Sequence, residues 1–153
     1  MNIQQVCDVV EIQSLLSAYV FAIDAKNYDA LDSVFTSDCV FEYIIENGRS
    51  VKGDYPRIKS WLAKTLADFP MTEHLIGLPR INVGDNVATA SSMLFNPMQL
   101  GANHGDQLFF VGGVYHDKLI RTAQGWRISE RKEQGSWIVN PPKGWTAPQI
   151  EQD

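Results

Sequence analysis

The chain has 153 residues, and its 44% hydrophobic and 10% aromatic content is that of an ordinary globular protein of one domain. The formal net charge of −5, without a run of Lys or Arg, argues against nucleic acid as a partner. Because there is no apolar run of about 18 residues and no apolar leader, we expect neither a membrane span nor a secretory signal.

The first half of the chain predicts three helices around a hairpin. Apolar residues at helical spacing indicate a first helix over residues 6–25. Asn27 is a good N-cap for a second, short helix. The strand-like segment that follows is interrupted by Asn47-Gly48, a strong hairpin turn. Asp54 then caps the third predicted helix.

The second half predicts a sheet with strands over residues 71–83, 87–100, 107–121 and 126–139. Gly112-Gly113 in mid-strand predicts a bulge that curls this sheet. Residues 140–153 form a Pro-rich tail of the single domain, 1–153. The element order predicts an α+β fold, in which three helices of the N-terminal half and a cone-shaped, curved antiparallel sheet enclose a pocket.

A turn predicts which residues face each other across two of these strands. If residues 84–86 form a three-residue loop, Val83 pairs with Val87. His74 then lies opposite Asn96, with Cβ atoms about 5 Å apart. The side chain of Asn96 could bind substrate or water, or it could merely begin the turn before the next proline.

Cysteine and histidine spacing predicts no cofactor site. Cys7 and Cys39 form neither a disulfide framework nor a Cys-x-x-Cys motif, and we expect both to be reduced core thiols of a cytoplasmic protein. His74, His104 and His116 lack metal-site spacing, and no phosphate-binding glycine motif is present. We expect His104 to lie in a loop and His116 to point outward.

Two segments, YVFAIDAKNYDAL and GGVYHDKLIRTAQGWRISERK, carry a resemblance that covers nearly the whole chain. They resemble the SnoaL-like branch of the nuclear-transport-factor-two-like superfamily, the cystatin-like α+β barrels. Within it the chain is most similar to bile-acid 7α-dehydratase and hexachlorocyclohexane dehydrochlorinase, and more distantly to scytalone dehydratase. Members include dehydratases, isomerases, cyclases, epoxide hydrolases and non-catalytic binders, so the pattern is weak for activity.

Asp24 and His74 are the first candidates for chemistry. Asp24 is predicted in the last turn of the first helix, where the helix dipole and partial burial would raise its pKa. Taken alone, Asp24 could be a solvated acid, and His74 a satisfied core residue. The resemblance implies instead a catalytic dyad, with His74 as general base and Asp24 as its partner.

The resemblance implies further catalytic and binding residues. Tyr19 and Tyr43 match pocket tyrosines that could polarise a carbonyl or donate a proton. Either could equally be a core residue whose hydroxyl contacts water. Arg131 corresponds to a catalytic arginine of the dehydrochlorinase and could stabilise developing negative charge. Asn96 corresponds to what looks like an aspartate in the bile-acid enzyme, and an amide cannot take a proton.

The rest of the pocket is predicted to be apolar. Tyr115 is expected to line it, and Asp117 to form a structural ion pair. The expected apolar walls are Phe41, Trp61, Met93, Phe95, Phe109, Val111 and Trp137. Such walls predict a hydrophobic, cyclic, polyketide- or steroid-like substrate.

The leading functional hypothesis is a cofactor-independent lyase of the dehydratase type. His74, assisted by Asp24, would remove a proton while water or another group leaves the adjacent carbon. An isomerase or cyclase with the same proton transfers, a non-catalytic binder, and a small partner subunit like those of ring-hydroxylating dioxygenases are the alternatives. Because the two most similar relatives are trimers, we expect a homo-oligomer, with a trimer ahead of a dimer.

Overall fold

The computed structural model describes residues 2–44, 50–102 and 107–143. The helical elements are α1 (Ile3–Asp24), a short 3₁₀ helix (Tyr28–Ser33) and α2 (Tyr55–Leu66). The strands are β1 (Phe35–Ile44), β2 (Ser50–Asp54), β3 (Met71–Thr72), β4 (Leu75–Ile76), β5 (Arg80–Val83), β6 (Val87–Gln99), β7 (Leu108–Thr122) and β8 (Gly125–Val139). The predicted turn at Asn47-Gly48, His104 and the tail from residue 144 lie outside the described residues.

The helices begin at the capping residues that their sequences supply. Asn2 and Gln5 form a capping box, so α1 begins at Ile3, earlier than predicted. Asn27 caps the 3₁₀ helix, and Asp54 caps α2, as predicted. The helices therefore follow local chemistry that is visible in the sequence.

Helix α1 buries one stripe of side chains and leaves other apolar residues exposed. The buried stripe consists of Asp8, Ile12, Leu16, Tyr19, Ala22 and Ile23. Cys7 lies on the exposed side, so the expectation of a core thiol is wrong for Cys7 and confirmed only for Cys39. By length and composition alone, α1 is long and apolar enough to cross a membrane. Its most apolar 18 residues have a mean hydropathy of 1.6, and 33% of that window is buried.

Within the described residues, eight strands form one sheet in the order β2-β1-β8-β7-β6-β3, and β4 and β5 also pair with β6. The sheet is mixed rather than wholly antiparallel, because β1 and β8 run parallel. No tight turn joins these two strands, so the turn signals in the sequence did not reveal their direction. The predicted strand over residues 71–83 is broken into β3, β4 and β5.

The register beside His74 agrees with the prediction, but the predicted turn does not. Val83 pairs with Ala88 instead of Val87, which lengthens the loop by one residue. An extra residue between β4 and β5 cancels this shift, so Leu75 pairs with Phe95 as the predicted register requires. His74 consequently meets the inner face of β6.

The predicted bulge at Gly112-Gly113 is confirmed. Gly112 pairs with Trp137 while Gly113 pairs with Gly135, so β8 carries one extra residue at this point. A Cβ on Gly112 would overlap the indole ring of Trp137. A Cβ on Gly113 would lie 2.6 Å from the backbone oxygen of Gln134. Both glycines are needed for this close approach of β7 and β8.

The two faces of β6 differ in burial. Ala88, Ala90, Ser92, Leu94, Asn96 and Met98 point inward and are buried. Met93, Phe95 and Trp137 were predicted to line the pocket, but they are 71%, 40% and 43% exposed, and the ring of Phe95 packs on that of Trp137 outside. Neighbouring residues of a regular strand face opposite sides, so Phe95 and Asn96 cannot share one pocket.

Candidate functional site

A cavity of about 170 Å³ lies between the helices and the inner face of the sheet. For comparison, an engineered cavity of about 150 Å³ holds a benzene ring. Its apolar lining includes Trp61, Leu62, Phe69, Met98, Phe109 and Val111. Its polar lining includes Tyr19, Tyr43, His74, Asn96, Tyr115 and Glu133. The cavity is therefore ring-sized and mostly apolar, with polar groups from several elements.

His74 and Asp24 are in direct contact, as the resemblance implied. His74 precedes β4 and is 7% exposed, and Asp24 ends α1. The Nδ1 atom of His74 lies 2.6 Å from Oδ1 of Asp24. The backbone N–H of His74 donates to Oδ2 of Asp24 at 2.7 Å, and the Thr72 hydroxyl donates to Oδ1 at 2.9 Å. Three hydrogen bonds thus fix the carboxyl of Asp24 against one edge of the imidazole.

The electrostatics of Asp24 differ from the expectation. Burial acts to raise the pKa of Asp24, but the hydrogen bonds from the ring and backbone of His74 and from Thr72 outweigh it, so the pKa is lowered. The expected raised pKa is therefore wrong. The sequence indicated the helix end and the burial, but not the number of donors that converge on the carboxylate. An ionised Asp24 is acceptor-only and selects the tautomer with hydrogen on Nδ1.

Asn96 occupies the opposite edge of the same imidazole. Its Nδ2 lies 3.2 Å from Nε2 of His74. The Oδ1 atom of Asn96 is buried, with no hydrogen-bond partner among the described residues. The amide can therefore donate to a bare Nε2 and, after rotation, accept from a protonated Nε2. This gives Asn96 a role in both states of His74.

Arg131 does not line this cavity. Its guanidinium is buried and forms two 2.8 Å bonds to the carboxylate of Asp117, the structural ion pair expected for Asp117. It also lies 4.0 Å from the ring centroid of Tyr19 and 4.4 Å from that of Tyr115. Arg131 therefore packs against the rings of Tyr19 and Tyr115 and is not among the residues that line the cavity, so its predicted catalytic role stays a prediction.

The three cavity tyrosines lie where they were predicted. The hydroxyls of Tyr19 and Tyr115 are 3.4 Å apart, and the ring of Tyr43 packs at 5.2 Å on that of Trp61. Burial raises the pKa of all three phenols, so they are protonated donors at neutral pH. Phe41 is 1% exposed and packs behind Tyr43 in the core instead of lining the cavity.

Glu133 is a cavity residue that the sequence interpretation missed. It lies on β8 opposite Tyr43 on one side and Tyr115 on the other, and it lines the cavity with them. Burial raises the pKa of its carboxyl, against the opposing charges of His74 and Arg131. Strand alternation could have found it, because residues two apart on β8 share a face.

In the described ranges, no group of three or more His, Cys, Asp or Glu side chains is arranged to hold a metal ion. The candidate groups of the cavity are instead a histidine with its carboxylate, an amide, phenols and a second carboxyl. The imidazole, the phenols and the carboxyls can each gain or lose a proton, whereas the amide can only form hydrogen bonds.

Comparison with known proteins gives the chain a family. The model of the SnoaL-like domain matches residues 4–132. The uncharacterised protein Rv2910c of Mycobacterium tuberculosis is 38% identical over 133 residues, which cover 87% of this chain and 88% of that protein. Similarity to proteins of known structure is lower in sequence but extends over the fold.

A structure from Novosphingobium aromaticivorans, provisionally assigned as a scytalone dehydratase, has a TM-score of 0.80 at 15% identity and covers 98% of this chain and 95% of its own. A type 2 hexachlorocyclohexane dehydrochlorinase has a TM-score of 0.71 at 20% identity, and the match covers 94% of this chain and 95% of that protein. A nuclear-transport-factor-two-like protein of Salmonella enterica has a TM-score of 0.73 at 18% identity, and the match covers 92% of this chain and 99% of that protein. The predicted α+β fold is confirmed, and the chain belongs to the SnoaL-like family.

Proposed function

We propose that this protein is an enzyme that catalyses a cofactor-independent elimination, with His74 as the general base. The observation that carries the proposal is the imidazole held between two partners. Asp24 contacts Nδ1 from outside the cavity, and Nε2 lies on the opposite edge of a ring that lines it. A base oriented by a carboxylate and directed at an apolar cavity is the arrangement that proton abstraction needs.

The bonding changes follow from this geometry. The Asn96 N–H first releases the lone pair of Nε2. Nε2 of His74 then takes a proton from a substrate carbon, and the C–H electron pair forms a double bond to the adjacent carbon. The leaving group departs from that second carbon with its own bonding pair. Asp24 stabilises the imidazolium, and the amide of Asn96 rotates so that its oxygen accepts from the new Nε2–H. The buried Oδ1 of Asn96, which has no hydrogen-bond partner among the described residues, supports this step.

The cavity indicates the substrate class. Its volume of about 170 Å³ and its aromatic walls favour a hydrophobic molecule that places one ring beside His74. The phenols of Tyr19, Tyr43 and Tyr115 supply donors for a carbonyl on such a ring. Two proteins with a similar fold bear the names dehydratase and dehydrochlorinase, and both names describe eliminations.

The test uses 5-nitrobenzisoxazole, a flat aromatic probe that opens when a base removes its ring C–H. We expect the wild-type protein to accelerate the opening, and His74→Ala to lose about 10²- to 10⁴-fold of the rate, the usual contribution of a general base. His116→Ala is the matched control, because His116 is exposed and bonds only Ser91 in the described structure. A probe deuterated at the reacting carbon should open more slowly.

Folding of each variant is checked by thermal melting. A folded His74→Ala protein that opens the probe at the wild-type rate would contradict the proposal. That outcome would favour a protein that only binds its ligand, since a binder does not need an oriented base.

A further inference from the structure

Glu133 is a carboxyl that the proton abstraction by His74 leaves without a role. The register of β8 places it between Tyr43 of β1 and Tyr115 of β7, and all three residues line the cavity. It is half-buried. Glu133 therefore lines the same cavity as His74.

Among the described residues, nothing pairs directly with a negative charge on Glu133, and burial outweighs the favourable effect of the nearby His74 and Arg131. In the described parts of the chain, its carboxyl has no hydrogen bond and no ion pair. The charged and titratable groups that face it are His74, Arg131 and the phenols of Tyr19, Tyr43 and Tyr115. Arg131 is committed to Asp117 by two hydrogen bonds, so it is not a direct partner.

We propose that Glu133 is the general acid of this cavity and delivers its proton to a hydroxyl leaving group. The inference rests on the proposed elimination and sharpens it, because only a poor leaving group needs this proton. The proposed substrate class is a cyclic alcohol whose hydroxyl is on the carbon adjacent to one that bears an acidic hydrogen. The reaction is then a dehydration.

The step balances without an added reactant. Nε2 of His74 gains the proton from carbon, and the C–H pair becomes the new C=C bond. The C–O bond breaks, its electron pair stays on oxygen, and the proton of Glu133 converts that oxygen to water. The imidazolium then returns one proton through solvent to the carboxylate of Glu133. The net change is the loss of one water molecule from the substrate.

The environment of Glu133 supports this assignment. Burial raises the pKa of the carboxyl, and the opposing effects of His74 and Arg131 do not reverse the shift. A carboxylic acid that keeps its proton near neutral pH can donate it to a leaving group. Asp24, which three donors hold in its ionised form, cannot do so.

The first test measures the proton directly. Side-chain carboxyls of glutamate are labelled with ¹³C, the protein is titrated by NMR, and the resonance absent from Glu133→Gln identifies the residue. We expect Glu133 to ionise at a higher pH than the ordinary value of 4.5. A Glu133 resonance that titrates at or below that value would overturn the proposal, whatever the role of His74.

The second test compares two probes that give the same product. 3-Hydroxyindan-1-one loses water and 3-chloroindan-1-one loses hydrogen chloride, and both yield inden-1-one. Chloride leaves without a proton, so Glu133→Gln should lower the rate ratio of hydroxy to chloro probe by at least about tenfold, within the range of general acid catalysis. An unchanged ratio would overturn the inference.

The two proposals fail in different ways. If His74→Ala slows both indanones but Glu133→Gln leaves their ratio unchanged, the base stands and the acid is overturned. If His74→Ala changes neither rate, the proposed function itself is overturned. The isosteric Glu133→Gln preserves side-chain volume, and thermal melting verifies that it folds.

Discussion

Glu133 lines the cavity, whereas Asp24 lies outside it behind His74, and the two carboxyls differ in their hydrogen-bond partners. Asp24 accepts hydrogen bonds from His74 and Thr72, which lower its pKa despite partial burial. Glu133 has no such donor in the described structure, and burial raises its pKa. The same functional group is thus held as an anion at the end of α1 and favoured as an acid on β8.

The contrast shows that hydrogen-bond donors, more than burial alone, decide whether a carboxyl at this site is ionised. Environments that separate the pKa values of two acids are a common basis for assigning acid and base roles. Here they assign Asp24 to the base, through His74, and Glu133 to the leaving group. Each of the following predictions removes one part of that contrast.

The largest effect is expected from the dyad. Asp24→Asn keeps the shape of the side chain but removes the charge that steadies the imidazolium. His74→Ala should cost about 10²- to 10⁴-fold in the opening of 5-nitrobenzisoxazole, each tenfold loss being about 1.4 kcal/mol of barrier. Because the two residues act as a unit, the double variant should be little worse than the worse single variant. A double variant whose loss of rate equals the product of the two single losses would show that Asp24 and His74 act independently.

A smaller effect is expected where the bulge fixes β8 beside Glu133. Gly113→Ala should lower the free energy of unfolding by about 1–3 kcal/mol, because the new methyl group would meet a backbone oxygen that cannot rotate away. Gly101→Ala is the control, since among the described residues its methyl group would meet only the backbone oxygen of Asp68, at an ordinary 3.9 Å. Chemical denaturation measures both. Equal stability of the two variants would contradict the close approach.

The dependence of stability on pH should have opposite signs for the two carboxyls. The lowered pKa of Asp24 stabilises the fold above its ordinary value of 3.8, and this contribution is lost as pH falls through the folded value. The raised pKa of Glu133 stabilises the fold below 4.5, and this contribution is lost as pH rises through the folded value. The signs therefore differ because one native carboxyl binds its proton more weakly than the unfolded chain and the other more tightly.

Thermal melting across pH measures this difference. As pH rises from 4.5, Glu133→Gln should gain stability relative to the wild type. As pH falls below 3.8, Asp24→Asn should lose less stability than the wild type. Parallel curves for wild type and both variants would show that neither carboxyl is shifted.

The smallest effect on Asp24 and Glu133 is expected from the formation of a homo-oligomer. We propose that the chain forms a homo-oligomer, with a trimer ahead of a dimer, through apolar residues that the fold leaves exposed, such as Met93 on the outer face of β6. That face lies opposite the cavity, so association should leave both carboxyls in place. Light scattering at micromolar concentration measures the mass, and a monomer would contradict the proposal.

Much of the fold was predictable because local chemistry determines it. Asn27 and Asp54 cap helices, and the paired glycines mark the point on β7 that lies opposite the bulge in β8. The parallel pairing of β1 and β8 was not predictable, since it joins distant segments without a turn. The register at His74 was correct only because an unpredicted extra residue cancelled an error in the turn.

The candidate site was predictable in part. The resemblance indicated His74, Asp24 and the tyrosines, because motif positions are local in sequence. It did not indicate that Arg131 is paired with Asp117, nor that Glu133 has no hydrogen-bond partner in the described part of the chain, because both depend on which side chains meet across strands. Phe95 was misplaced for the same reason, since hydrophobicity alone does not give the side of a strand.

The most direct test of the account is ¹⁵N NMR of the His74 imidazole in the resting protein. The account predicts a proton on Nδ1, held by Asp24, and a bare Nε2 ready to accept a substrate proton. His116, which is exposed, provides a reference ring in the same sample. Asp24→Asn should abolish the fixed tautomer. A base form of His74 with its proton on Nε2, or one that exchanges between tautomers as freely as His116, would contradict the central claim.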